Sequence, residues 1–369
     1  MASQINPIVV DLDGTLIKTD MLFESANQFI TENPLRFWQP FLWLMRGRPY
    51  LKEQLAQRYR FDAANLPYNE EVVTWLRSEA SKGTPIYLAT ASNKVIADAV
   101  ASHLKLFTGV FASEGDVNLK ASRKRDRLIS EFGEKQFDYV GNEGDDLAVW
   151  EKSKNSHVVS SSSALLSKVD SLGNKGKVFA SQEGGLKSLV KAMRLHQWVK
   201  NLLVFVPLLG AHQISNTPAL IEAVLAFISF GLCASSVYLL NDLVDIENDR
   251  QHARKKARPF AAGRLSLLTG WLLWPILTIS AFALAWVTLP AAFTGVLLVY
   301  FAVTLAYSFS LKRFAILDVL VLAGLYTIRI VAGAVATSIP LSFWLFIINW
   351  SWSIVSIIFY DDTSFYFFI

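Results

Sequence analysis

Two patterns of apolar residues divide the chain. Up to about residue 185 the apolar residues form short runs, such as 8–10, 86–89 and 158–159, separated by longer mixed stretches. Short runs that stop at polar residues are typical of buried strands in a parallel α/β sheet. From about residue 200 the runs lengthen to roughly 20 residues, the length of a membrane-spanning helix. The pattern predicts a soluble α/β domain followed by an all-α polytopic membrane bundle.

The long runs predict six membrane spans. Residues 265–311 contain no charged side chain, which leaves room for two spans with Pro290 at the turn between them. The predicted spans are 201–217, 219–241, 265–288, 291–310, 314–337 and 341–360. Lysines and arginines precede the first span and follow the second and the fourth, whereas the alternate connections carry none. Because positive residues favour the cytoplasmic side, we expect the soluble domain in the cytoplasm.

The composition agrees with this division and excludes some functions. Hydrophobic residues make up 52% of the 369 residues, and the formal net charge is +4. The basic residues cluster at the ends of predicted spans, where membrane orientation explains them, so we expect no nucleic-acid partner. The single cysteine, Cys233, excludes an intramolecular disulfide. No basic and apolar leader follows Met1, so we expect no signal peptide and a multi-pass protein of a bacterial-type inner membrane.

The first 200 residues contain three regions. We assign residues 1–180 to the α/β domain, with a helical cap at about 20–80 between the first two strands. Residues 181–200 form a linker that ends in a basic amphipathic segment. The Ser- and Gly-rich stretch 160–185 belongs largely to this connection, and its first part is long enough for a closing helix. Residues 201–369 then form the membrane domain.

One part of the predicted cap, residues 34–46, is more aromatic and apolar than a cap requires. The segment is too short to span a bilayer. With Arg36, Arg46 and Arg48 around it, it could lie among lipid headgroups. It could equally be the face on which the cap packs against the core, and the sequence leaves both interpretations open.

An acidic stretch follows the second predicted span. Asp242, Asp245 and Asp249, preceded by Asn241, are spaced i, i+3 and i+7, so on one helix the three carboxylates share a face. Such charges repel one another unless a cation neutralises them, and Mg²⁺ bound by carboxylates leaves coordination positions for phosphate. The stretch therefore indicates a site for a Mg²⁺-diphosphate. The alternative is a solvated acidic helix end beside a basic loop.

The pattern Asn-Asp-x-x-Asp-x-x-x-Asp resembles the first aspartate-rich motif of the UbiA-type membrane prenyltransferases, a helical family that holds a diphosphate with Mg²⁺. Two further stretches resemble the branch of polyprenyl-phosphate phosphoribosyltransferases: residues 194–201, RLHQWVKN, and residues 249–263, from DRQH to RPFAAG. The resemblance covers about residues 190–348. It implies that Asn241 and the three aspartates hold the metal ion.

The same resemblance implies the substrates. A polyprenyl phosphate, such as decaprenyl phosphate, would accept phosphoribose from phosphoribosyl diphosphate. The cations suited to the phosphates are Lys200, Arg254, Lys255 and Arg258. Two other functions stay open: transfer of a prenyl chain to an aromatic acid such as 4-hydroxybenzoate, and lipid binding without catalysis.

Two charged residues, Asp318 and Arg329, lie inside the fifth predicted span. Charges at that depth usually line a cavity rather than face lipid. Asp318 follows residues 307–312, which resemble the approach to the family's second aspartate region, so it is a further candidate metal ligand. The alternative is a carboxylate near a helix end that reaches the aqueous layer.

Two carboxylates, Asp11 and Asp13, directly follow the apolar run 8–10. At the carboxyl end of a buried parallel strand they lie at the rim where α/β proteins bind ligands. Residues 11–16, DLDGTL, resemble the first motif of the haloacid dehalogenase superfamily of phosphotransferases. That resemblance implies a Rossmann-like fold with a cap, Asp11 as the nucleophile that attacks phosphorus, Asp13 as the group that transfers protons, and Mg²⁺ bound beside both.

The later motifs of this superfamily occur in order. The resemblance assigns Thr90 to a phosphoryl oxygen and Asp146 to the metal ion. For the charge of the bound phosphate it favours Lys124, with Lys120 as the second choice. Asn142 stands where the superfamily often has Asp, so one charge is missing from the metal site. The domain is then either a phosphatase with weaker Mg²⁺ binding, suited to removing the 5-phosphate of the transferred ribose, or a vestigial one.

The carboxyl-terminal end differs from the family pattern. Family members usually have more membrane helices than the six predicted here, and the resemblance fades beyond about Asn349. We therefore expect a truncated or frame-shifted product with an incomplete cavity wall.

Overall fold

The computed structural model of the chain covers residues 6–115, 118–181, 184–309 and 315–341, with side chains in the last segment from residue 319 onward. The chain divides into two compact units. The first consists of Met1–Ser188 and Leu243–Leu268, and the second of Leu189–Asp242 and Thr269–Ile369. Residues 243–268 therefore group with the amino-terminal part of the chain, which the sequence pattern does not predict.

The first unit is built on a six-stranded parallel sheet. Its strands are β1 (Ile8–Val10), β2 (Ile86–Asn93), β3 (Gly109–Ser113), β4 (Asp138–Gly141), β5 (Ser156–Val159) and β6 (Lys175–Phe179). They lie in the order β3-β2-β1-β4-β5-β6, and every neighbouring pair is parallel. The strand order reverses beside β1, and this is the point at which α/β sheets of this kind bind ligands.

Both faces of the sheet are buried. Ile8 and Val10 belong to one core cluster and Val9 to another, as the alternation of side chains along a strand requires. A parallel strand that is covered on both faces has no solvent side for a polar residue, which explains the uninterrupted apolar run in β1. The predicted α/β class is confirmed.

The connections in the first unit are helical. Between β1 and β2 lie α1 (Met21–Glu32), α2 (Gln39–Met45), α3 (Arg48–Ala56) and α4 (Glu70–Ser81). This is the helical insertion that the sequence predicts. The other helices are α5 (Lys94–Leu104), α6 (Ser122–Phe132), α7 (Leu147–Trp150) and α8 (Ser163–Asp170).

The sheet continues into the stretch that the sequence assigns to a linker. Strand β6 follows α8 and pairs with β5, within the stretch 160–185 that the sequence assigns largely to the connection. Of the five residues of β6 only Phe179 is buried, because the strand lies at the edge of the sheet, where polar side chains reach water. A strand of this kind lacks the apolar run by which the others are recognised.

The second unit is helical. After α9 (Leu186–Ala192) come a 3₁₀ helix (Leu195–Phe205), α10 (Val206–Gly210), α11 (Thr217–Val244), the short α12 (Ile246–Gln251) of the first unit, α13 (Leu267–Thr288), α14 (Ala291–Phe309) and α15 (Ala315–Thr337). Among the described residues, four stretches are long and apolar enough to cross a membrane: Thr217–Val244, Leu267–Thr288, Ala291–Phe309 and Val319–Thr337. The chain is an integral membrane protein.

The first predicted span, residues 201–217, is wrong. Leu195–Phe205 is a 3₁₀ helix, and the α-helix that follows it, α10, has five residues. Pro207 has no amide hydrogen, so it suits the first turn of a helix and cannot continue one from the preceding residues. Residues 342–360 of the sixth predicted span lie outside the described part of the chain.

Two glycines allow the 3₁₀ helix to pack closely on its neighbours. A Cβ on Gly231 of α11 would lie 2.6 Å from the indole of Trp198, and a Cβ on Gly333 of α15 would clash with the backbone of Val204. The indole Nε1 of Trp198 also donates a hydrogen bond to Oγ of Ser235 on α11, at 2.9 Å. These contacts fix the segment that carries Lys200.

Candidate active sites

The predicted phosphatase residues of the first unit meet at the carboxyl edge of the sheet. Asp11 and Asp13 directly follow β1, the central strand. Oδ1 of Asp13 accepts a hydrogen bond from the amide of Met21 at 2.8 Å, and Oδ2 accepts one from the hydroxyl of Ser92 at 2.6 Å. The start of α1 and the end of β2 thus hold the Asp13 carboxylate in one orientation.

Ser92 is a residue of this site that the motif comparison missed. Oγ1 of Thr90 accepts a hydrogen bond from the amide of Ser92 at 2.9 Å and lies 3.4 Å from Oδ2 of Asp13, so the shorter contact with Asp13 comes from Ser92. Alternate residues of a strand point to the same face. The spacing of Thr90 and Ser92 was therefore a signal that both hydroxyls could reach the same carboxylate.

Lys124 reaches this edge from α6. Its ammonium lies 2.8 Å from Oδ1 of Asp11 and 3.9 Å from Oδ1 of Asp146, and all three side chains are buried. Lys120 instead forms an ion pair with the partly exposed Asp145, at 2.7 Å. Of the two lysines that the motif comparison considered, Lys124 is the one that contacts Asp11.

Burial and charge set the protonation of the Asp11–Lys124 pair. Burial raises the pKa of Asp11 to about 7; Lys124 opposes this rise, while Asp146 and Asp13 add to it. Burial also opposes the charge of Lys124, but the carboxylates of Asp11 and Asp146 hold the pKa of Lys124 above its ordinary value. Near neutral pH, Asp11 is divided between its ionised and protonated forms while Lys124 keeps its charge.

Asp146 and Asn142 determine how a metal ion would fit. Oδ2 of Asp146 accepts from the backbone amides of Asn142 and Glu143, and Oδ1 accepts from the hydroxyl of Tyr139 at 2.7 Å. Oδ1 of Asn142 accepts from the hydroxyl of Thr15 at 3.0 Å. No three Asp, Glu, His or Cys side chains of the described residues converge into a metal cage. The oxygen donors still suit Mg²⁺, which commonly takes one or two carboxylates and completes its shell with water and phosphate.

The acidic stretch after the second predicted span is not one continuous helix. Helix α11 ends at Val244, and α12 begins directly after Asp245. The prediction that the three carboxylates share one helix face is therefore wrong. Aspartate favours helix starts over helix interiors, and the amide of Asp249 donates to the carbonyl of Asp245 at 2.8 Å as the first bond of α12.

Two of the aspartates accept hydrogen bonds from arginines. In the second unit, Nη2 of Arg194 donates to Oδ1 of Asp242 at 2.6 Å. In the first unit, Nη1 of Arg258 donates to Oδ2 of Asp249 at 2.8 Å. Both carboxylates are buried. Arg258, which the sequence assigns to phosphate, thus contacts a candidate metal ligand, Asp249. Asn241, the remaining candidate ligand of this stretch, lies in the last turn of α11.

The basic stretch that follows has a structural arginine that the sequence did not single out. The guanidinium of Arg250 donates to both carboxylate oxygens of Glu24 on α1, at 3.1 and 2.6 Å, and both side chains are buried. Nearby, Nδ1 of His252 accepts from the backbone amides of Arg254 and Lys255. Residues 243–268 are therefore held to the first unit by a buried ion pair.

Arg329 of α15 is buried among polar groups of the second unit. Its Nε donates to Oδ1 of Asn201 at 2.9 Å, its Nη2 donates to the hydroxyl of Tyr300 at 3.2 Å, and its Nη1 donates to the carbonyl of Leu325. The guanidinium carbon also lies 5.6 Å from the ring centre of Tyr326. An arginine at this depth is itself a functional signal.

Lys200 and Asn201 add further donors to this cluster. The ammonium of Lys200 lies 5.8 Å from the ring centre of Tyr326, the ring that Arg329 also faces. Burial, together with the positive charges of Arg329 and Arg194, lowers the pKa of Lys200 to about 8. Nδ2 of Asn201 is buried and has no hydrogen-bond partner among the described residues. A buried cluster of donors suits an anion with several oxygens, such as a phosphate.

Asp318 is the second charged residue of this span and a candidate metal ligand. Asp318 falls within α15, but its side chain precedes the part of that helix for which side chains are described. Its candidate role stays a prediction.

Comparison with known proteins assigns the helical half. Residues 202–366 match the UbiA prenyltransferase family. This half of the chain belongs to the UbiA prenyltransferase family. The match extends beyond residue 348, where the motif resemblance was expected to fade.

Two relatives show how far the similarity reaches. The uncharacterized protein y4nM of Sinorhizobium fredii is 38% identical over 341 residues, which cover 92% of this chain and 66% of that protein. The decaprenyl-phosphate phosphoribosyltransferase of Mycobacterium tuberculosis is 41% identical over 164 residues, which cover 43% of this chain and 54% of that enzyme. The chain thus spans just under two thirds of the first relative's length and about half of the second's.

The first unit also matches solved structures. The alignment with a phosphoserine phosphatase in its apo form covers 48% of this chain and 93% of the phosphatase chain, with 14% sequence identity and a TM-score of 0.34. The fold assignment of the first unit rests on its parallel strand order and helical insertion.

Proposed function

We propose that the chain is a two-part enzyme of lipid glycosylation. Its UbiA-family half transfers phosphoribose from phosphoribosyl diphosphate to a polyprenyl phosphate such as decaprenyl phosphate. Its α/β half removes the 5-phosphate from the lipid-linked product. We also propose that the α/β half lies in the cytoplasm of a bacterial cell, since the basic residues follow alternate spans.

The observation that carries this proposal is the buried donor cluster around Arg329. Its donors are the buried guanidinium of Arg329, the half-buried ammonium of Lys200 and the amide nitrogen of Asn201, which has no hydrogen-bond partner among the described residues. Both substrates bring phosphate groups, and an unpaired buried donor is costly until an acceptor occupies its site. The similarity to decaprenyl-phosphate phosphoribosyltransferases over the same half supports the choice of substrates.

In the transfer step an oxygen of the polyprenyl phosphate attacks the anomeric carbon of the ribose. The bond from that carbon to the diphosphate breaks, and the diphosphate leaves with the electron pair. The attacking phosphate is already ionised, so no proton has to be removed from it. Lys200 and Arg329 orient phosphate oxygens and stabilise the negative charge that moves to the leaving group.

The acidic stretch is proposed as the metal site for this step. Asn241, Asp242, Asp245 and Asp249 would hold Mg²⁺ on the diphosphate, with Asp318 as a further candidate. When bound, Mg²⁺ supplies positive charge against the leaving diphosphate. The arginines that contact Asp242 and Asp249, Arg194 and Arg258, are placed to transfer from carboxylate to phosphate when the metal-bound substrate enters. Arg254 and Lys255 are the remaining candidate phosphate contacts.

In the hydrolysis step a carboxylate oxygen of Asp11 attacks the phosphorus of the 5-phosphate. The bond from phosphorus to the ribose oxygen breaks, and Asp13 gives that oxygen a proton. Asp13 then takes a proton from the water that releases phosphate from Asp11. Lys124 stabilises the charge at phosphorus from its contact with Asp11, and Mg²⁺ held beside Asp11, Asp13 and Asp146 would supply further positive charge.

Two parallel incubations test the transfer. The purified full chain receives Mg²⁺ with ribose-labelled phosphoribosyl diphosphate and polyprenyl phosphate in one tube, and with polyprenyl diphosphate and labelled 4-hydroxybenzoate in the other. We expect labelled lipid in the first tube alone. Label in the second tube alone would assign the chain to aromatic prenyl transfer, and label in neither would leave a lipid-binding protein.

Arg329→Met should lower transfer by about a hundredfold, because it removes one preorganised donor for the phosphate charge. Arg329→Lys keeps the charge but cannot replace a fork of donors, so we expect it to recover part of the loss. The measurement is kcat and KM for phosphoribosyl diphosphate in vesicles. Arg77→Met, the same change at an exposed arginine of α4, is the control. Equal activity of Arg329→Met and the unchanged chain would remove Arg329 from the mechanism.

The pH dependence of phosphate-monoester hydrolysis should report Asp11. The pKa of Asp11 is raised to about 7, so the fraction of ionised nucleophile grows as the pH rises through that value. We expect kcat to increase between about pH 6 and 8. Added Mg²⁺ should move the rise to lower pH, because a nearby cation favours the ionised carboxylate. Lys124→Met should move it to higher pH. A profile that neither change moves would show that another group limits the rate.

A further inference from the structure

The cap segment Pro34–Arg48 exposes most of its apolar side chains. The 3₁₀ helix Pro34–Arg36 and helix α2 contain no buried residue. Leu35 is 90% exposed and Met45 is 82% exposed. The other exposed apolar side chains of this segment are Phe37, Trp38, Phe41, Leu42 and Leu44. Elsewhere in the first unit, exposed large apolar side chains are scattered singly, as at Val95 and Val178. A contiguous apolar patch of this kind marks a binding surface.

This exposure decides between the two interpretations that the sequence leaves open. Had the segment been the face that packs on the core, its aromatic side chains would be buried. Trp43 does pack inward: its ring lies tilted against that of Phe29, at 4.9 Å between ring centres, and it joins the small cluster of Leu51 and Leu55. Trp43 therefore fastens α2 to α1 and α3, and the rest of the segment faces outward.

Positive charge surrounds the apolar patch. Arg36, Arg46 and Arg48 are exposed, and none of them forms an ion pair with a residue that the structure describes. The guanidinium of Arg46 instead lies over the ring of Tyr50, at 5.3 Å, and donates to its hydroxyl at 3.1 Å. Cations beside exposed aromatic side chains match a surface that is negative outside and apolar beneath.

A cavity of about 570 Å³ opens within the patch. Trp38 and Leu42 belong both to the patch and to the cavity lining, which also includes Arg36, Arg46 and Arg58. The guanidinium of Arg58 lies 5.1 Å from the ring of the inward-facing tryptophan. One carboxylate lines the cavity as well, so the lining keeps an excess of positive charge. A lining that combines aromatic side chains with arginines suits the phosphate and upper chain of a lipid.

We propose that residues 34–48 dock on the membrane itself, with exposed aromatic and aliphatic side chains in the headgroup layer and the arginines on the phosphates of anionic lipids. The bilayer is the partner that the structure favours, because the chain carries its own membrane-spanning helices and always has a bilayer at hand. Docking would hold the α/β half at the surface where a lipid-linked phosphate resides, whatever the identity of that lipid. The proposal does not depend on either catalytic assignment.

The single cysteine of the chain provides a site-specific test. Cys233 is buried, so Met45→Cys or Leu35→Cys introduces one accessible thiol for an environment-sensitive fluorophore. The full chain is reconstituted into phosphatidylglycerol vesicles that contain a lipid with a headgroup-level quencher. Val95→Cys, at a position that is 67% exposed and lies outside the patch, is the matched control, and the chain without an added cysteine gives the background.

We expect strong lipid quenching at positions 35 and 45 and little at position 95. Each arginine near an anionic surface contributes about fivefold to docking. The triple change Arg36→Glu, Arg46→Glu, Arg48→Glu should therefore reduce quenching at position 45 to the control level. Vesicles of neutral phosphatidylcholine should reduce the quenching of the unchanged arginine surface only in part. An unchanged pattern of chymotryptic fragments shows that the variant keeps its fold. Quenching at position 45 equal to that at position 95 would overturn the proposal. Cross-linking between two copies of the chain from position 45, without lipid quenching there, would also overturn it, because the patch would then bind a second copy and not the bilayer.

Discussion

Asp245→Ala should lower phosphoribosyl transfer by about a hundredfold to a thousandfold, the usual cost of removing one group that stabilises charge in a transition state. Asp245 lies at the break between α11 and α12, as the N-cap residue of α12. A carboxylate at such a break can reach a ligand without distorting a helix. The loss should appear mainly in kcat and should diminish as Mg²⁺ is raised, because a weakened metal site fills at higher concentration.

The control for this variant is Asn248→Ala, which changes an exposed residue of α12 in the same acidic stretch. Its activity should match that of the unchanged chain. If Asp245→Ala kept full activity at low Mg²⁺, or if both variants lost activity alike, the acidic stretch would have no metal role. The segment would then be a solvated helix end beside a basic loop.

Asp11→Asn should abolish hydrolysis of the 5-phosphate, by at least about a thousandfold, while leaving transfer unchanged. The amide keeps the shape of the side chain but is not a nucleophile, so no covalent intermediate can form on it. The lipid product should then retain its phosphate and accumulate as phosphoribosyl lipid. Mass spectrometry of the lipid extract separates the two products.

Asp98→Asn, the same change at an exposed position of α5, should have no effect. The comparison matters because Asn142, an amide and not a carboxylate, lies beside Asp146 at the candidate metal site. If the unchanged chain and Asp11→Asn gave the same phosphorylated lipid, the α/β half would be a vestigial phosphatase and the transfer would stand alone.

The sequence predicts those parts of the fold that depend on local pattern. The apolar run of β1 identifies a strand buried on both faces, and the uncharged stretch 265–311 identifies two membrane-length helices. The sequence does not predict the elements whose structure depends on long-range contacts. Edge strand β6 has no apolar run, and the 3₁₀ helix is held by contacts at Gly231 and Gly333, which no periodicity reveals.

The candidate sites show the same division. Motif spacing points to Asp11, Asp13 and Lys124, which the fold brings to one edge of the sheet. It does not show that Arg258 contacts Asp249, because that pairing depends on how the loop between them closes. It places Arg329 at a depth where charges line cavities, but it does not show that Arg329 donates to Asn201, which lies 128 residues earlier in the chain.

The most direct test of the central claim is the mass of the lipid that the intact chain makes. The chain, in vesicles, receives Mg²⁺, phosphoribosyl diphosphate and a polyprenyl phosphate of one defined length, and the lipid extract is analysed by mass spectrometry. A polyprenyl phosphate carrying ribose or phosphoribose, absent when either substrate is omitted, is the predicted result. Unmodified polyprenyl phosphate as the sole lipid recovered, or a lipid joined to an aromatic acid when one is supplied with polyprenyl diphosphate, would contradict it.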